Sequence, residues 1–390
     1  MAASAEEADS KMKKNNRSLV EALVFLAVFV VLFGVLGRFM GGKNLLNTIM
    51  KTAHDLLLNT VFYLMGITVL MGALSKLLSE FGVVKMLERL LRPLMKPLYN
   101  LPGVAALGAL MTFLSDNPAI IALGKDKTFS SYFKKYQLIS LTNFGTAFGM
   151  GMIVILTMVV YGQLPAALTG LFGALCGSII STRLMQRFTL KSFPELDSPA
   201  VADTVQEEVR EEVEEKKDSV FMRFLNAILD GGKSGVELGI AIIPGVLIIT
   251  TFVLLITFDA GSAGVYDGSA YQGVPLLPWL AGKIHWPFEW LFGFHDMRLL
   301  AFPMTALGAV GAALGLLPQL SAAGILDGNA IAVFTAIGMC WSGYLSTHTA
   351  MLDSMGYRKL IGKAIGAHTI AGFCAGIIAH FTWLLVSLIL

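Results

Sequence analysis

Apolar residues fall in runs of roughly twenty, separated by short polar connectors, along almost the whole chain. LVEALVFLAVFVVLFGVLGR at 19–38 is the first run and DLLLNTVFYLMGITVLMGALSKLLS at 55–79 the second. Each predicts a helix long enough to cross about 30 Å of hydrocarbon. Similar runs occupy about 136–160, 164–183, 234–258, 328–350 and 364–389. Two other segments carry a different pattern. FGVVKMLERLLRPLMKPLYNLPG (81–103) interleaves Lys85, Glu88, Arg89, Arg92 and Lys96 with Leu and Met, as a helix lying at a membrane surface does. LLPWLAGKIHWPFEWLFGF (276–294) is an aromatic counterpart, its tryptophans suited to the headgroup level.

Each surface segment is followed by an apolar stretch too interrupted to span as one helix. VAALGALMTFLSDNPAIIALG (104–124) is broken by Ser115-Asp116-Asn117-Pro118, three turn-forming residues and a proline. It predicts two half-helices in a re-entrant hairpin, whose bare backbone must line a protein-enclosed cavity. MRLLAFPMTALGAVGAALGLLPQL (297–320) is glycine-rich and is expected to break near Pro303. The chain therefore divides into a cytosolic tail (1–18), a first transmembrane helix (19–40), one repeat at 47–185, a hydrophilic linker at 186–221 and a second repeat at 222–390. KTAHDLLLNTVFYLMG (51–66) lies over DGGKSGVELGIAIIPG (230–245) as a faint echo between the repeats.

Charge sets the orientation. Lys11, Lys13, Lys14 and Arg17 hold the N-terminus in the cytoplasm, and counting crossings puts 81–103, 125–135, 184–220 and 356–363 inside. Most remaining Lys and Arg lie there, whereas 259–274 has none; Lys43 and Lys51 fit less well. The C-terminus falls outside the cytoplasm, and the two repeats cross in opposite senses, an inverted-topology repeat with a midplane site. The expected fold is an all-α polytopic membrane protein of the bacterial inner membrane. Only 14% of residues are charged and 55% are hydrophobic, and the net charge of +2 forms no basic patch, so nucleic acid is excluded as a partner. The linker centre, VADTVQEEVREEVEEKKD, carries eight acids against three bases and reads as solvated chain or a partner-binding segment.

Polar residues at membrane depth are the candidate chemistry. Asp116 at the first break reads as a substrate or cation ligand, or as the cap of the second half-helix, with Ser115 and Asn117 beside it. Thr142, Asn143 and Thr146 line one region of the 136–160 span; Thr305 lies in the second broken stretch. Ser342, Ser346, Thr347 and His348 make the 328–350 span dense in polar groups, and Trp341 and Thr349 accompany them. Asp116, Glu237 and His348 are the candidates for coupling to a proton or cation, although Glu237 could equally pair with Lys233 one turn away. His295, Asp296 and Arg298 form a polar knot at the interface. His54, His368 and His380 are too scattered for a metal triad, and Cys176, Cys340 and Cys374 are isolated, so no metal or cofactor is expected. Asp230-Gly231-Gly232-Lys233-Ser234 is no phosphate loop, because Ala227 stands where the first glycine belongs. No nucleophile–base pair suggests an enzyme.

Residues 56–160 resemble the gate, or nucleoside-recognition, superfamily, which includes concentrative nucleoside transporters, the ferrous iron transporter B pore and spore maturation membrane proteins. In the nucleoside transporters the first hairpin tip reads close to F-x-G-Q-T-E-A-P; here it is Phe113-Leu114-Ser115-Asp116-Asn117-Pro118-Ala119-Ile120. Their next helix carries G-F-A-T-x-A-G-S, and Asn143-Phe144-Gly145-Thr146-Ala147-Phe148-Gly149-Met150 occupies its place. Phe113, Ala119, Phe144, Thr146 and Gly149 match. The resemblance implies a secondary transporter of a small polar solute, nucleoside-like in kind, assembled as a homotrimer in the bilayer. It departs where Asp116 and Pro118 replace the Gln and Glu that hold the base. It departs again where Met150 replaces the sodium-site serine, which points to protons rather than sodium. The competing expectation is a non-transporting membrane factor of the spore-maturation type that acts through protein partners.

Overall fold

The computed structural model describes residues 2–162, 164–200, 219–261 and 264–390. Seven helices are long and apolar enough to cross a membrane: Ser18–Met40, Gly42–Glu80, Lys135–Tyr161, Leu164–Ser192, Val220–Thr257, Gly328–Ser354 and Arg358–Val386. They coincide with the expected spans, and the chain is an integral membrane protein of all-α architecture. The acid-rich centre of the linker, 201–218, lies outside the described residues.

Helix α1 (Ala2–Met40) precedes α2 (Gly42–Asp55), which passes through a π turn at Leu56–Val61 into α3 (Phe62–Glu80). The first surface segment is α4 (Val83–Leu94), where Glu88 is buried and accepts from Arg92 at 2.5 Å. Next, α5 (Ala105–Leu114) and α6 (Pro118–Lys125) pack on each other about the Ser115–Asn117 break. After α7 (Lys127–Ser131), one span is split into α8 (Lys135–Thr146) and α9 (Gly151–Tyr161), and α10 (Leu164–Ser192) closes the first half.

The second half repeats that order. Helix α11 (Val220–Ala241) leads through a π turn at Gly245–Thr250 into α12 (Thr251–Thr257). The aromatic surface segment is α13 (Leu276–Gly282) and α14 (His285–Phe292), with Trp279, Trp286 and Trp290 exposed. A broken pair, α15 (Ala301–Ala306) and α16 (Val310–Leu314), and the short α17 (Leu317–Ala322) follow. A split span, α18 (Gly328–Cys340) and α19 (Tyr344–Ser354), and the closing α20 (Ile361–Val386) complete the chain. The break expected near Pro303 lies instead at Leu307–Ala309. Pro303 lies inside a helical stretch that runs from the 3-10 turn Met297–Leu300 through α15 to Ala306, so the chain stays helical past it. The helix ends where Gly308 and Ala309 both donate to Thr305 O and Ala309 turns extended.

Equivalent helices of the two halves run antiparallel. Along α11, a Cβ on Gly231 would sit 2.3 Å from Gly72 O, on Gly235 2.4 Å from Thr68 O, and on Gly239 2.3 Å from Met65 Cγ. Rising positions on α11 thus meet falling ones on α3, through a small-residue stripe that lets the backbones touch. Gly173 meets Ala375 and Ala379, whereas Gly177 meets Ala371 and Ala375, so α10 and α20 cross the same way. Gly162 against Ile331 and Gly151 against Met339 do this for the split spans. Matched order with reversed direction is an inverted repeat. Burial separates its layers: 6% of the apolar window of the first helix is buried, against 83% for Gly328–Ser354, so α1 lies outermost and α18–α19 form the core.

The polar connectors gather at two ends. At one, Arg183 donates to Leu98 O at 2.8 Å, Gln186 to Tyr99 O at 3.0 Å, and Lys363 to Ser192. There Lys134 donates to Asp197 at 2.8 Å, a bond that raises the ammonium pKa above its ordinary value. At the other end the 259–274 loop docks on α2, with Asn44 donating to Tyr266 O at 2.7 Å and Thr48 to Ser269 O at 2.9 Å.

Candidate functional site

Both short-helix pairs and both split spans are interrupted, and the four breaks converge. Asp116 and Asn117 at the first tip, Gly308 and Ala309 at the second, Met150 between α8 and α9, and Ser342 and Gly343 between α18 and α19 line one cavity of about 360 Å³. Helix α11 and the turn after it add Leu238, Ala241, Ile242 and Gly245. Backbone conformation makes the split spans turn: Met150 has φ 53° and Gly343 φ 66°, both left-handed. The breaks leave helix-end carbonyls that need donors. Asn117 Nδ2 donates to Ser342 O, tying the first tip to the opposite half, and Gly149 allows the approach, since a Cβ there would sit 2.2 Å from Asn117 Oδ1.

The cavity has two kinds of wall. One carries Asp116, Asn117, Ser342, Ser346 and Thr347. Ser346 and Thr347 donate to Gly343 O at 2.8 and 3.1 Å, one turn back. The other wall is Leu238, Ala241, Ile242 and the Gly308–Ala312 tip, with no polar side chain. No Lys, Arg or His lines the cavity.

The remaining sequence-derived candidates lie elsewhere. Ser115 donates to Met111 O at 2.5 Å, and Thr305 to Ala301 O at 2.8 Å, each within its own helix. Thr146 donates likewise to Thr142 O at 2.7 Å, while Thr142 Oγ1 and Asn143 Oδ1 are buried without partners. His348 is on the face of α19 turned away from the cavity, its Nδ1 donating to Tyr344 O at 2.6 Å and its ring 4.8 Å from that of His368. Glu237 is exposed, and no ion pair joins it to Lys233 among the described residues. Asp296 and Arg298 do pair, at 2.6 Å, and His295 meets Glu289 at 3.0 Å, away from the cavity. Behind the split spans, Asn143 donates to Ser181 Oγ at 3.0 Å, Ser181 to His368 Nδ1 at 2.6 Å, and His368 Nε2 to Cys340 O. The apolar wall escaped sequence reasoning because a search for chemistry looks for polar residues. Its only signal was the density of glycine at 308–315.

Residues 61–162, from the π turn before α3 to the end of α9, match the Gate family model, described as nucleoside recognition. This stretch is similar to a Gate domain. The matched stretch contributes Asp116, Asn117, Pro118, Ile121 and Met150 to the cavity, and the rest of the lining comes from the second half. An uncharacterized protein of Alkalihalophilus pseudofirmus is 27% identical over 253 residues, which are 59% of this chain and 51% of that protein. The chain thus spans about half the length of that curated relative. Two structures of CNTnw, a concentrative nucleoside transporter, are similar in fold. One, a variant in an intermediate state, superposes with a TM-score of 0.51 at 14% identity, over 93% of this chain and 86% of that one. The other, an outward-facing variant, gives 0.50 at 15% identity, over 95% and 86%. The fold of the chain is similar to that of these transporter structures.

Proposed function

We propose that the chain is a secondary transporter, moving a small polar solute by alternating access around the cavity between the two tips. One observation carries this reading: four helix breaks, two from each half of an inverted repeat, meet at a single cavity. Continuous helices would satisfy their own backbones, so four interruptions inside hydrocarbon make physical sense where they line a solute path. In this scheme α5–α6 and α15–α16 are re-entrant hairpins that move against the scaffold of α10, α18 and α20. The basic end faces the cytoplasm of a bacterial inner membrane, and the chain assembles as a homotrimer.

Asp116 is the coupling group in this proposal, being the one acid that lines the cavity. The thioether of Met150 is a poor ligand for a hard cation. Replacing potassium by sodium at equal ionic strength should therefore leave the melting temperature of the purified protein unchanged. A sodium-specific rise would show that oxygen ligands nearby suffice.

Access can be tested without knowing the solute. Ile121→Cys, in a background with Cys176, Cys340 and Cys374 replaced, should react with an impermeant maleimide from either membrane side, in separate subpopulations. Reaction from one side only, under every condition, would argue for a fixed vestibule.

A further inference from the structure

Resting on the transporter reading, the geometry points to a substrate class: an organic monocation, an ammonium attached to a small apolar body. On the polar wall, most side-chain donors are already committed. Asn117 Nδ2 serves Ser342 O, and the hydroxyl hydrogens of Ser346 and Thr347 serve Gly343 O. What these groups still offer are acceptors: the Asp116 carboxylate and the lone pairs of Ser346 and Thr347. Only Ser342 adds a hydroxyl with no fixed role. An ammonium brings three donors and no acceptor, the complement of that set.

Charge and shape narrow the choice further. With one carboxylate and no basic side chain at the cavity, a desolvated monocation would meet its counter-charge. A divalent metal lacks ligands, since no group of three or more His, Cys, Asp or Glu gathers among the described residues. A bare monovalent ion leaves most of about 360 Å³ unfilled, a volume at the small end of the roughly 300–1,000 Å³ usual for organic ligands. The opposite wall, Leu238, Ile242, Ala309 and Val310, offers apolar contact and no side-chain partner for a hydroxyl. A ribose placed there would leave its hydroxyls short of partners, a loss that a hydrocarbon or aromatic body avoids.

The test uses matched ligands that differ only at the polar end. Purified full-length protein is titrated, by thermal shift and calorimetry, with phenethylamine, 2-phenylethanol and phenylacetate, and with hexylamine and its alcohol. Ammonium chloride and uridine complete the set. The amines should bind more tightly than their alcohols and carboxylates, and more tightly than ammonium or uridine. Asp116→Asn should weaken amine binding by about ten- to 150-fold while leaving the alcohols nearly unchanged. The amine-to-alcohol ratio in the unaltered protein carries the result even if that variant fails to fold. Binding of phenylacetate or uridine in preference to the amines, an equal response to bare ammonium, or no response to any amine would overturn the assignment. Labelled phenethylamine that binds but shows no counterflow in proteoliposomes would remove the transport reading and leave the ligand class intact. Uridine counterflow without an amine response would do the reverse.

Discussion

A helix that stops inside a membrane leaves its last carbonyls short of donors, and those that a tightened last turn does not reach must be met by side chains. At the end of α18 the carbonyl of Cys340 is met by His368 Nε2–H, and Trp341 Nε1 returns to His368 O at 3.2 Å. The ring's other nitrogen accepts from Ser181, which in turn accepts from Asn143, so the tautomer of a fully buried imidazole is fixed. His368→Ala would strand the Cys340 carbonyl and the Ser181 hydroxyl, at about 1–3 kcal/mol for each buried group left unsatisfied. The variant should melt well below the parent in detergent, and His368→Gln, which keeps a donor and an acceptor, should lose less. Equal melting of His368→Ala and the parent would show that the relay is incidental. Nothing in the sequence singles out His368: it is one isolated imidazole in a helix, and its partners come from α10 and α18. By contrast, Asp116 and Asn117 are legible because the proline after them marks a break, and a break at membrane depth must face a cavity. Thr142, Asn143 and His348 show the limit of that logic. They are as polar and as deep, but which face of a helix meets the cavity depends on where the neighbouring break resets its phase.

Between elements, glycine decides how close the two halves come. At Gly235 the nearest atoms to an added Cβ are Thr68 O and Val69 Cα at 2.4 Å, backbone atoms that cannot swing aside. Thr68 also donates to Gly235 O at 2.7 Å across this seam. Gly235→Ala should force α3 and α11 apart, a loss on the order of 1–3 kcal/mol that lowers the melting temperature. Gly66→Ala, on the partner helix α3 but with nothing within 4 Å, should be neutral or stabilising by up to about 1 kcal/mol through helix propensity. Equal melting of the two variants would place the seam elsewhere. The spans themselves follow from run length, whereas the splits at 147–150 and 341–343 have no proline to announce them. They arise at Gly-Met-Gly and Trp-Ser-Gly, where a left-handed residue starts the second helix. Pro303 misleads in the opposite way, since the chain stays helical from Met297 through it to Ala306.

For the whole molecule the decisive property is direction. Two halves with the same order of elements can be related by a parallel or an inverted repeat, and only the inverted form brings α3 against α11 and α10 against α20 head to tail. The faint match of 51–66 with 230–245 marks which helices correspond, and the Lys and Arg bias indicates that they cross oppositely, so the architecture is legible before any contact is known. The contacts add a physical check on that bias. Lys134, Arg183 and Lys363 meet at one end through bonds to Asp197, Leu98 O and Ser192, while the 259–274 loop, which has no Lys or Arg, is fastened to α2 at the other. Lys127 and Val265 are exposed at these opposite ends. With the native cysteines replaced, Val265→Cys should react with an impermeant maleimide applied to intact cells, and Lys127→Cys should react only in inverted vesicles. Labelling of Lys127→Cys in intact cells and Val265→Cys in inverted vesicles would keep the inverted repeat but turn the molecule over, because the connectors would be exchanged as a set. Labelling of both from one side would break the repeat itself, since no inverted arrangement of these helices puts both connectors on the same face.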